Sequence, residues 1–163
     1  MVIEMKQRFG RMAIAGAAVA MVATGLAAPA LGDALDDAIK ARRGYYQVVK
    51  ASFGPLVGMA KGQIDYDAET AASFADNLVK LSELSNGHLW PAGSDNTAKP
   101  GATRSLPAIW TDGGVAKRSA DWKAATVKLG AEAGNGLDAL RANIGAVGNA
   151  CSACHDDYRA ESF

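Results

Sequence analysis

The chain has 163 residues, of which 17 are basic and 17 are acidic, and 49% of its residues are hydrophobic. The formal net charge is zero and becomes about −2 without the basic leader described below, which argues against a nucleic acid or an anionic membrane as partner. The length suits one domain with a single core, and no repeat or low-complexity segment indicates a second domain.

Residues 1–30 have the pattern of a secretory signal peptide. Three basic residues precede an uncharged run over residues 12–28, and Ala28-Pro29-Ala30 satisfies the small-residue rule for cleavage. A permanent membrane anchor is the alternative, but the run is shorter than the roughly 20 residues of a span and contains glycines. We therefore expect residues 31–163 to form the mature domain, with a net charge of about −2 and no membrane span.

Helical periodicity begins in the first part of the mature chain. Large residues recur every three or four positions over residues 35–56, which predicts a bundle helix. Gly54-Pro55 is expected to kink the last turns of this helix. A second helix is predicted to begin near Asp67, an N-cap residue type, and to end at Asn86-Gly87. Both helices carry one apolar stripe, so they are expected to pack against other helices.

The next segment, residues 85–114, is predicted to be a long connection rich in proline, glycine and asparagine. Trp90 and Trp110 give it apolar anchors, so we expect it to pack over the bundle. A third helix follows over residues 115–133, and Gly134-Asn135-Gly136 ends it. Its inward residues are Trp122, Ala125 and Leu129.

The predicted fourth helix contains Cys151-Ser152-Ala153-Cys154-His155, the attachment signal of c-type haem. Two cysteines three apart on a helix share a face, where they can form thioethers to both vinyl groups of one porphyrin, and His155 can bind the iron. The alternatives are a disulfide, a redox dithiol or a zinc site. Neither a disulfide nor a zinc site needs a histidine at this position, and a zinc site needs more Cys or His ligands than the motif supplies. Both cysteines continue the inward stripe Leu137, Leu140, Ile144, Val147, Cys151, Cys154 and Tyr158.

The haem signal and the export signal support each other. Covalent haem attachment takes place on the outer side of the bacterial inner membrane, where a cleaved signal peptide would deliver the chain. We therefore expect a periplasmic protein with one covalently bound haem c per chain.

Several polar residues of the first helix are candidates for contact with the haem. Arg42 lies on the inward stripe and cannot lose its proton, so it needs an anion, and the haem propionates are the nearest candidates. Alternatively, Arg42 extends outward to Asp36 or Asp37. Arg43 could serve the second propionate or face solvent, and Tyr46 could cover the distal side of the iron or be a plain core residue.

On the proximal side, Arg159 lies one turn beyond His155 and could act on its imidazole. It could equally be an exposed cation that interacts with the helix dipole. His88 and Met59 are the other conventional ligand types, and we expect His88 to be solvated and Met59 to pack in the core.

With C-x-x-C-H in the last of four predicted helices, the chain resembles the cytochrome c′ family. The resemblance implies an all-α, left-handed antiparallel four-helix bundle, commonly a homodimer through its first two helices. It implies a high-spin haem with His155 as its only protein ligand, Arg42 near the propionates, Arg159 on the proximal side and Tyr46 blocking the open iron face. The blocks that carry the resemblance are residues 39–46, 52–56, 107–110 and 147–159.

The chain departs from the family after the second helix. Members commonly have an aromatic residue there, where this chain has Asn86-Gly87-His88. That haem-edge contact is therefore in doubt or has passed to Trp90.

We expect a non-enzymatic haem protein with five-coordinate iron that binds diatomic gases, such as nitric oxide and carbon monoxide. It would also take part in single-electron transfer with an unidentified periplasmic partner. A low-spin electron carrier is one alternative, but residues 42–49 contain no methionine. A peroxidase or another nitric oxide-handling enzyme is a second alternative, but the inward stripe near Tyr46 offers no histidine or carboxylate as an acid or base.

Overall fold

A computed structural model of the protein describes residues 31–163, and the predicted signal peptide lies outside these residues. The described chain contains four α-helices: α1 (Leu31–Ala60), α2 (Ala68–Glu83), α3 (Val115–Glu132) and α4 (Leu137–Tyr158). It contains no strand and only one isolated antiparallel bridge, between Ser105 and Arg159. None of these helices is long and apolar enough to cross a bilayer. The predicted all-α class is confirmed.

The helices form a four-helix bundle in which each helix runs antiparallel to the next. Contacts between neighbouring helices show this arrangement, and α4 also contacts α1. They include Tyr45 with Leu81, Glu83 with Lys123, Arg118 with Asp157, and Arg141 with Ala60.

Packing determines where α1 ends, and local sequence determines where α2 begins. α1 continues through Pro55 to Ala60 because Leu56 and Met59 in its last turns are buried in the core. α2 begins after the predicted N-cap, Asp67, whose carboxylate accepts a 2.8 Å hydrogen bond from the amide of Thr70. Burial therefore outweighs the helix-breaking effect of proline in α1, whereas local capping suffices in α2.

The apolar core is concentrated toward one end of the bundle, where α1 and α3 end and α2 and α4 begin. The opposite end, which we call the cysteine end, contains the first half of α1, the last turns of α2 and α4, the first turns of α3, and the loop 84–114. There the interior positions carry polar, aromatic and sulfur-containing side chains as well as the buried aliphatic Ile39. The core residues at the first end are Leu56, Met59, Ala71, Leu129, Ala133 and Leu140.

The loop 84–114 packs over the cysteine end, as predicted. It contains two short 3₁₀ helices, Gly87–Leu89 and Pro107–Trp110. The indole of Trp110 donates a 2.9 Å hydrogen bond to the carbonyl of Trp90, and the amide of Leu106 donates one of 2.9 Å to the carbonyl of Tyr158. The loop is thus tied both to itself and to the end of α4.

Candidate haem-binding site

Cys151 and Cys154 lie on the inward side of α4 at the cysteine end. Both are partly buried, and neither forms a disulfide. Burial raises the pKa of each thiol, and the neighbouring thiol raises that of Cys151 further. Redox dithiols depend on a lowered thiol pKa, so this environment does not favour a thioredoxin-like pair.

His155 follows Cys154 in the last turn of α4, and its carbonyl accepts a 3.0 Å hydrogen bond from the amide of Arg159. Burial lowers the pKa of the imidazole, and the positive charges of Arg159 and Arg104 lower it further. The imidazole is therefore neutral near pH 7, which is the form that binds a metal. Within residues 31–163, no group of three or more His, Cys, Asp or Glu side chains could hold a metal ion, so the zinc interpretation lacks a ligand set there.

Arg42 is buried, with 2% of its surface exposed, and it binds the loop. Its Nη1 donates a 2.6 Å hydrogen bond to Oγ of Ser94, and its Nη2 donates to the carbonyl of Ser94 and, at 2.7 Å, to Oγ1 of Thr103. The ring of Trp90 covers the guanidinium at 4.7 Å. Burial lowers the pKa of Arg42, while Tyr46 and Asp95 raise it.

The alternative that Arg42 extends outward to Asp36 or Asp37 is wrong. Asp36 pairs instead with Lys99 at 2.8 Å, and Asp37 pairs with Lys40 at 3.4 Å. Sequence reasoning missed Ser94 and Thr103, because hydroxyl residues in an irregular loop show no periodicity that would point them at a helix.

Tyr45, not Tyr46, occupies the buried position on α1, so the predicted stripe was wrong at this residue. Tyr45 is 8% exposed and donates a 2.8 Å hydrogen bond to the carbonyl of Leu81, whereas Tyr46 is 45% exposed. A helical stripe can step by three as well as by four, and here it passes through Arg42, Tyr45 and Val49.

Tyr46 lies at the edge of this stripe and faces the cysteine end. Its ring is edge-on to that of Tyr45 at 4.9 Å and to that of Trp90 at 6.3 Å. Its hydroxyl forms no hydrogen bond within residues 31–163. Partial desolvation of Tyr46, then the nearby Tyr45, Cys154 and Cys151, raises its pKa well above the usual value, so the phenol is neutral at neutral pH.

The other predicted arginines lie at the surface. Arg159 is exposed, and its charge acts on His155 together with that of Arg104, a residue that sequence reasoning did not identify. Arg43 is exposed, and its guanidinium lies 5.6 Å from the ring of Phe163.

The other conventional ligand types are placed as expected. Met59, the only methionine of residues 31–163, is buried in the core near the end of α1, far along the helix from Tyr46. His88 is exposed in the loop. Trp90, rather than His88, is the aromatic side chain after α2 that lies beside Tyr46.

The residues of the cysteine end fit a covalently bound haem. They combine two neutral thiols, a neutral imidazole and a buried guanidinium with an aromatic wall. The indole Nε1 of Trp122, on the inward side of α3, is also buried without a hydrogen-bond partner in the described chain. This fold and this set of side chains define a four-helix-bundle haem protein of the c type.

Comparison with known proteins agrees with this class. The family model described as Cytochrome C′ matches residues 37–159, and the chain belongs to this family. It is 37% identical over 145 residues to a cytochrome c′ of Cereibacter sphaeroides, covering 88% of this chain and 96% of the relative. Proteins of the family generally transfer electrons or bind gases, and they carry covalent haem c, which is accordingly the cofactor of this chain.

Solved structures show the same likeness. A cytochrome c′ from Rhodobacter spheriodes superposes with a TM-score of 0.76 at 36% identity, covering 78% of this chain and 98% of the other. A nitric oxide complex of a mutant cytochrome c prime from Alcaligenes xylosoxidans superposes with a TM-score of 0.68 at 32% identity, covering 78% of this chain and 97% of the other.

Proposed function

We propose that this chain is a non-enzymatic periplasmic haem protein that binds small diatomic gases at a five-coordinate iron. Residues 1–30 would be removed on export, and residues 31–163 would form the mature domain. Cys151 and Cys154 form the thioethers, and His155 is the only protein ligand. When bound, the haem supplies an iron that accepts or gives one electron and binds gases such as nitric oxide or carbon monoxide.

The placement of the candidate sixth ligands carries this proposal. Met59 is buried in the core toward the far end of the bundle, and His88 is exposed on the loop. Tyr46 faces the cysteine end, but its raised pKa keeps the phenol neutral, and a neutral phenol is a poor iron ligand. The solved nitric oxide complex of a relative adds support for gas binding.

The polar groups of the cysteine end have separate parts in this proposal. Arg42 is the residue proposed to bind the haem propionates, and Arg43 is a surface cation near the same end. Tyr46 restricts the space on the distal side, which favours small neutral ligands over larger ones. Arg159 places a positive charge on the proximal side, beside His155. The described side chains near Tyr46 include no histidine or carboxylate in contact with it, which favours binding over acid–base catalysis.

We also propose that the chain is a homodimer through α1 and α2. A groove between these helices has a mainly apolar lining, and two of its aliphatic side chains, Val48 and Leu84, are 52% and 54% exposed. Burial of such side chains in a partner copy would remove apolar surface from water. The groove is lined by Val48, Ser52, Asn77, Lys80, Leu81 and Leu84.

The absorption spectrum of the purified, haem-loaded protein tests the proposed site. We expect a broad high-spin Soret band in the ferrous protein, which shifts and sharpens when carbon monoxide or nitric oxide is added. Sharp low-spin bands that do not respond to either gas would mean that a second side chain binds the iron, and Met59→Leu and His88→Ala would then identify it. A Cys151→Ala, Cys154→Ala double variant should retain no covalent haem by mass spectrometry.

A further inference from the structure

The contacts of Arg42 come from neutral groups of the loop. Two hydroxyls and one carbonyl accept its hydrogen bonds, and no carboxylate forms an ion pair with it in the described chain. The charge of Asp95 raises the pKa of Arg42, but the Asp95 carboxylate accepts hydrogen bonds from the amides of Thr97 and Ala98. A buried guanidinium held only by neutral groups retains a full positive charge that an anion can neutralise.

The two hydroxyls can only accept from Arg42, because a guanidinium has no acceptor atom. The hydroxyl of Ser94 donates its own proton to the carbonyl of Pro91 at 2.7 Å, and that of Thr103 donates to Oγ of Ser105 at 3.1 Å. Each hydroxyl therefore has its donor engaged within the loop and presents a lone pair to Arg42. The loop fixes the direction of these lone pairs, and they in turn fix the orientation of the guanidinium.

The hydrogen bonds to the loop use three of the five N–H groups of Arg42. Both protons of Nη2 and one proton of Nη1 are engaged, and the ring of Trp90 covers one face of the guanidinium plane. The N–H group of Nε and the second N–H group of Nη1, which point in different directions, remain for other acceptors. Their directions are set by the loop contacts rather than by the flexible arginine side chain.

We propose that Ser94 and Thr103 are positioning residues for the haem, which hold the guanidinium of Arg42 so that one of its remaining N–H groups can bind a haem propionate. This proposal rests on the proposed haem site. Ser94 and Thr103 act through Arg42 and do not themselves contact the iron.

A positioned Arg42 has a measurable electrostatic consequence. Its positive charge offsets the negative charge of a propionate, which would otherwise stabilise the ferric haem, the state with one more positive charge. Arg42 therefore favours the ferrous state and raises the midpoint potential. If the loop contacts are weakened, the guanidinium gains freedom, and the midpoint potential falls.

The test is a redox titration of purified, haem-loaded variants. Ser94→Ala and Thr103→Val should each lower the midpoint potential, whereas Thr103→Ser, which keeps the hydroxyl, should remain near the wild-type value. Thr97→Val is the matched control, because Thr97 is an exposed threonine of the same loop whose side chain does not contact Arg42. Ser94→Ala keeps the backbone carbonyl that binds Nη2, so it is the milder variant. If Thr103→Val does not fold, the midpoint potential of Ser94→Ala alone tests the proposal.

A double-mutant cycle separates positioning from a general loss of stability. In an Arg42→Gln background, Ser94→Ala and Thr103→Val should cause no further fall in potential, because the group through which they act is gone. Potentials that stay at the wild-type value, or that fall equally with and without Arg42, would overturn the proposal. A wild-type protein without covalent haem would instead contradict the proposed function, so the two failures are distinguishable.

Discussion

The hydroxyl of Tyr158 donates a 2.7 Å hydrogen bond to Oδ1 of Asp112. Tyr158 is the buried last residue of α4, and Asp112 lies in the loop just before α3. The same carboxylate oxygen accepts a 2.8 Å hydrogen bond from the amide of Gly114. One oxygen atom thus joins the end of the helix that carries the proposed haem ligand to the beginning of its neighbour.

Removing this hydroxyl should destabilise the protein. Tyr158→Phe deletes only the oxygen and leaves the Asp112 carboxylate without its tyrosine donor, so we expect a melting temperature lower by about 3–6 °C, in proportion to one charge-assisted hydrogen bond. Circular dichroism of the haem-loaded protein measures this change. A melting temperature equal to that of the wild type would show that the hydrogen bond contributes nothing.

The same hydrogen bond predicts a pH dependence. The hydrogen bond to Asp112, followed by burial and the Asp112 charge, raises the pKa of Tyr158 to about 12. Because the pKa of an unfolded tyrosine is about 10, the contribution of the hydroxyl is complete below about pH 10 and is lost as the pH rises toward 12. The difference in melting temperature between wild type and Tyr158→Phe should therefore be constant up to about pH 10 and shrink above it. A difference that grows above pH 10 would contradict this assignment.

Gly114→Ala should destabilise the protein only when the Tyr158 hydroxyl is present. A Cβ at Gly114 would overlap this oxygen, whereas it would lie 3.7 Å from ring atom Cζ of Tyr158. We expect Gly114→Ala to lower the free energy of unfolding by about 1–3 kcal/mol in the wild type, as overpacking does, and to lose most of this cost in Tyr158→Phe. Urea denaturation of the four proteins of this cycle measures the coupling. Gly44→Ala, at an exposed helical position with open space, is the control. Equal costs in both backgrounds would show that the hydroxyl is not the obstacle.

Tyr46→Ala should admit gases more readily. The ring of Tyr46 faces the cysteine end, so its removal lowers the steric barrier on the distal side, and a decrease of about 1.4 kcal/mol gives a tenfold faster association. We expect carbon monoxide to bind the ferrous variant at least about tenfold faster, as measured by flash photolysis. Tyr46→Phe keeps the ring and should stay near the wild-type rate. If carbon monoxide associates with Tyr46→Ala at the wild-type rate, Tyr46 does not restrict access to the iron.

A charge in the groove between α1 and α2 should separate the proposed dimer. Val48→Glu and Leu84→Glu would bury a carboxylate against the partner copy, so each should shift the protein to monomer in sedimentation velocity. Val127→Glu is the matched control, since Val127 on α3 is similarly exposed, at 45%, and does not line the groove. A wild-type protein that sediments as a monomer, or a control that dissociates equally, would contradict the proposed interface.

Much of the fold follows from local patterns. Asp67 caps α2 where the sequence predicts it, and α4 begins directly after Gly136, whose φ of +121° suits glycine. The C-x-x-C-H motif is likewise local, because its spacing along one helix turn brings the two thiols to one face. These features depend on residues within one or two turns of each other, so they can be inferred without knowing what packs against the helix.

The sequence alone thus determined the helix count, the haem-attachment motif and the inward face of α4, because each depends on short-range spacing and backbone preference. Only the tertiary structure decided that Tyr45 rather than Tyr46 is buried on α1. Both adjacent residues fit the predicted stripe, and the packing of the neighbouring helices determines which of them is buried. The tertiary structure also decided the partners of Arg42. Ser94 and Thr103 lie 52 and 61 residues away along the chain, and only the path of an irregular loop brings their hydroxyls to the buried guanidinium.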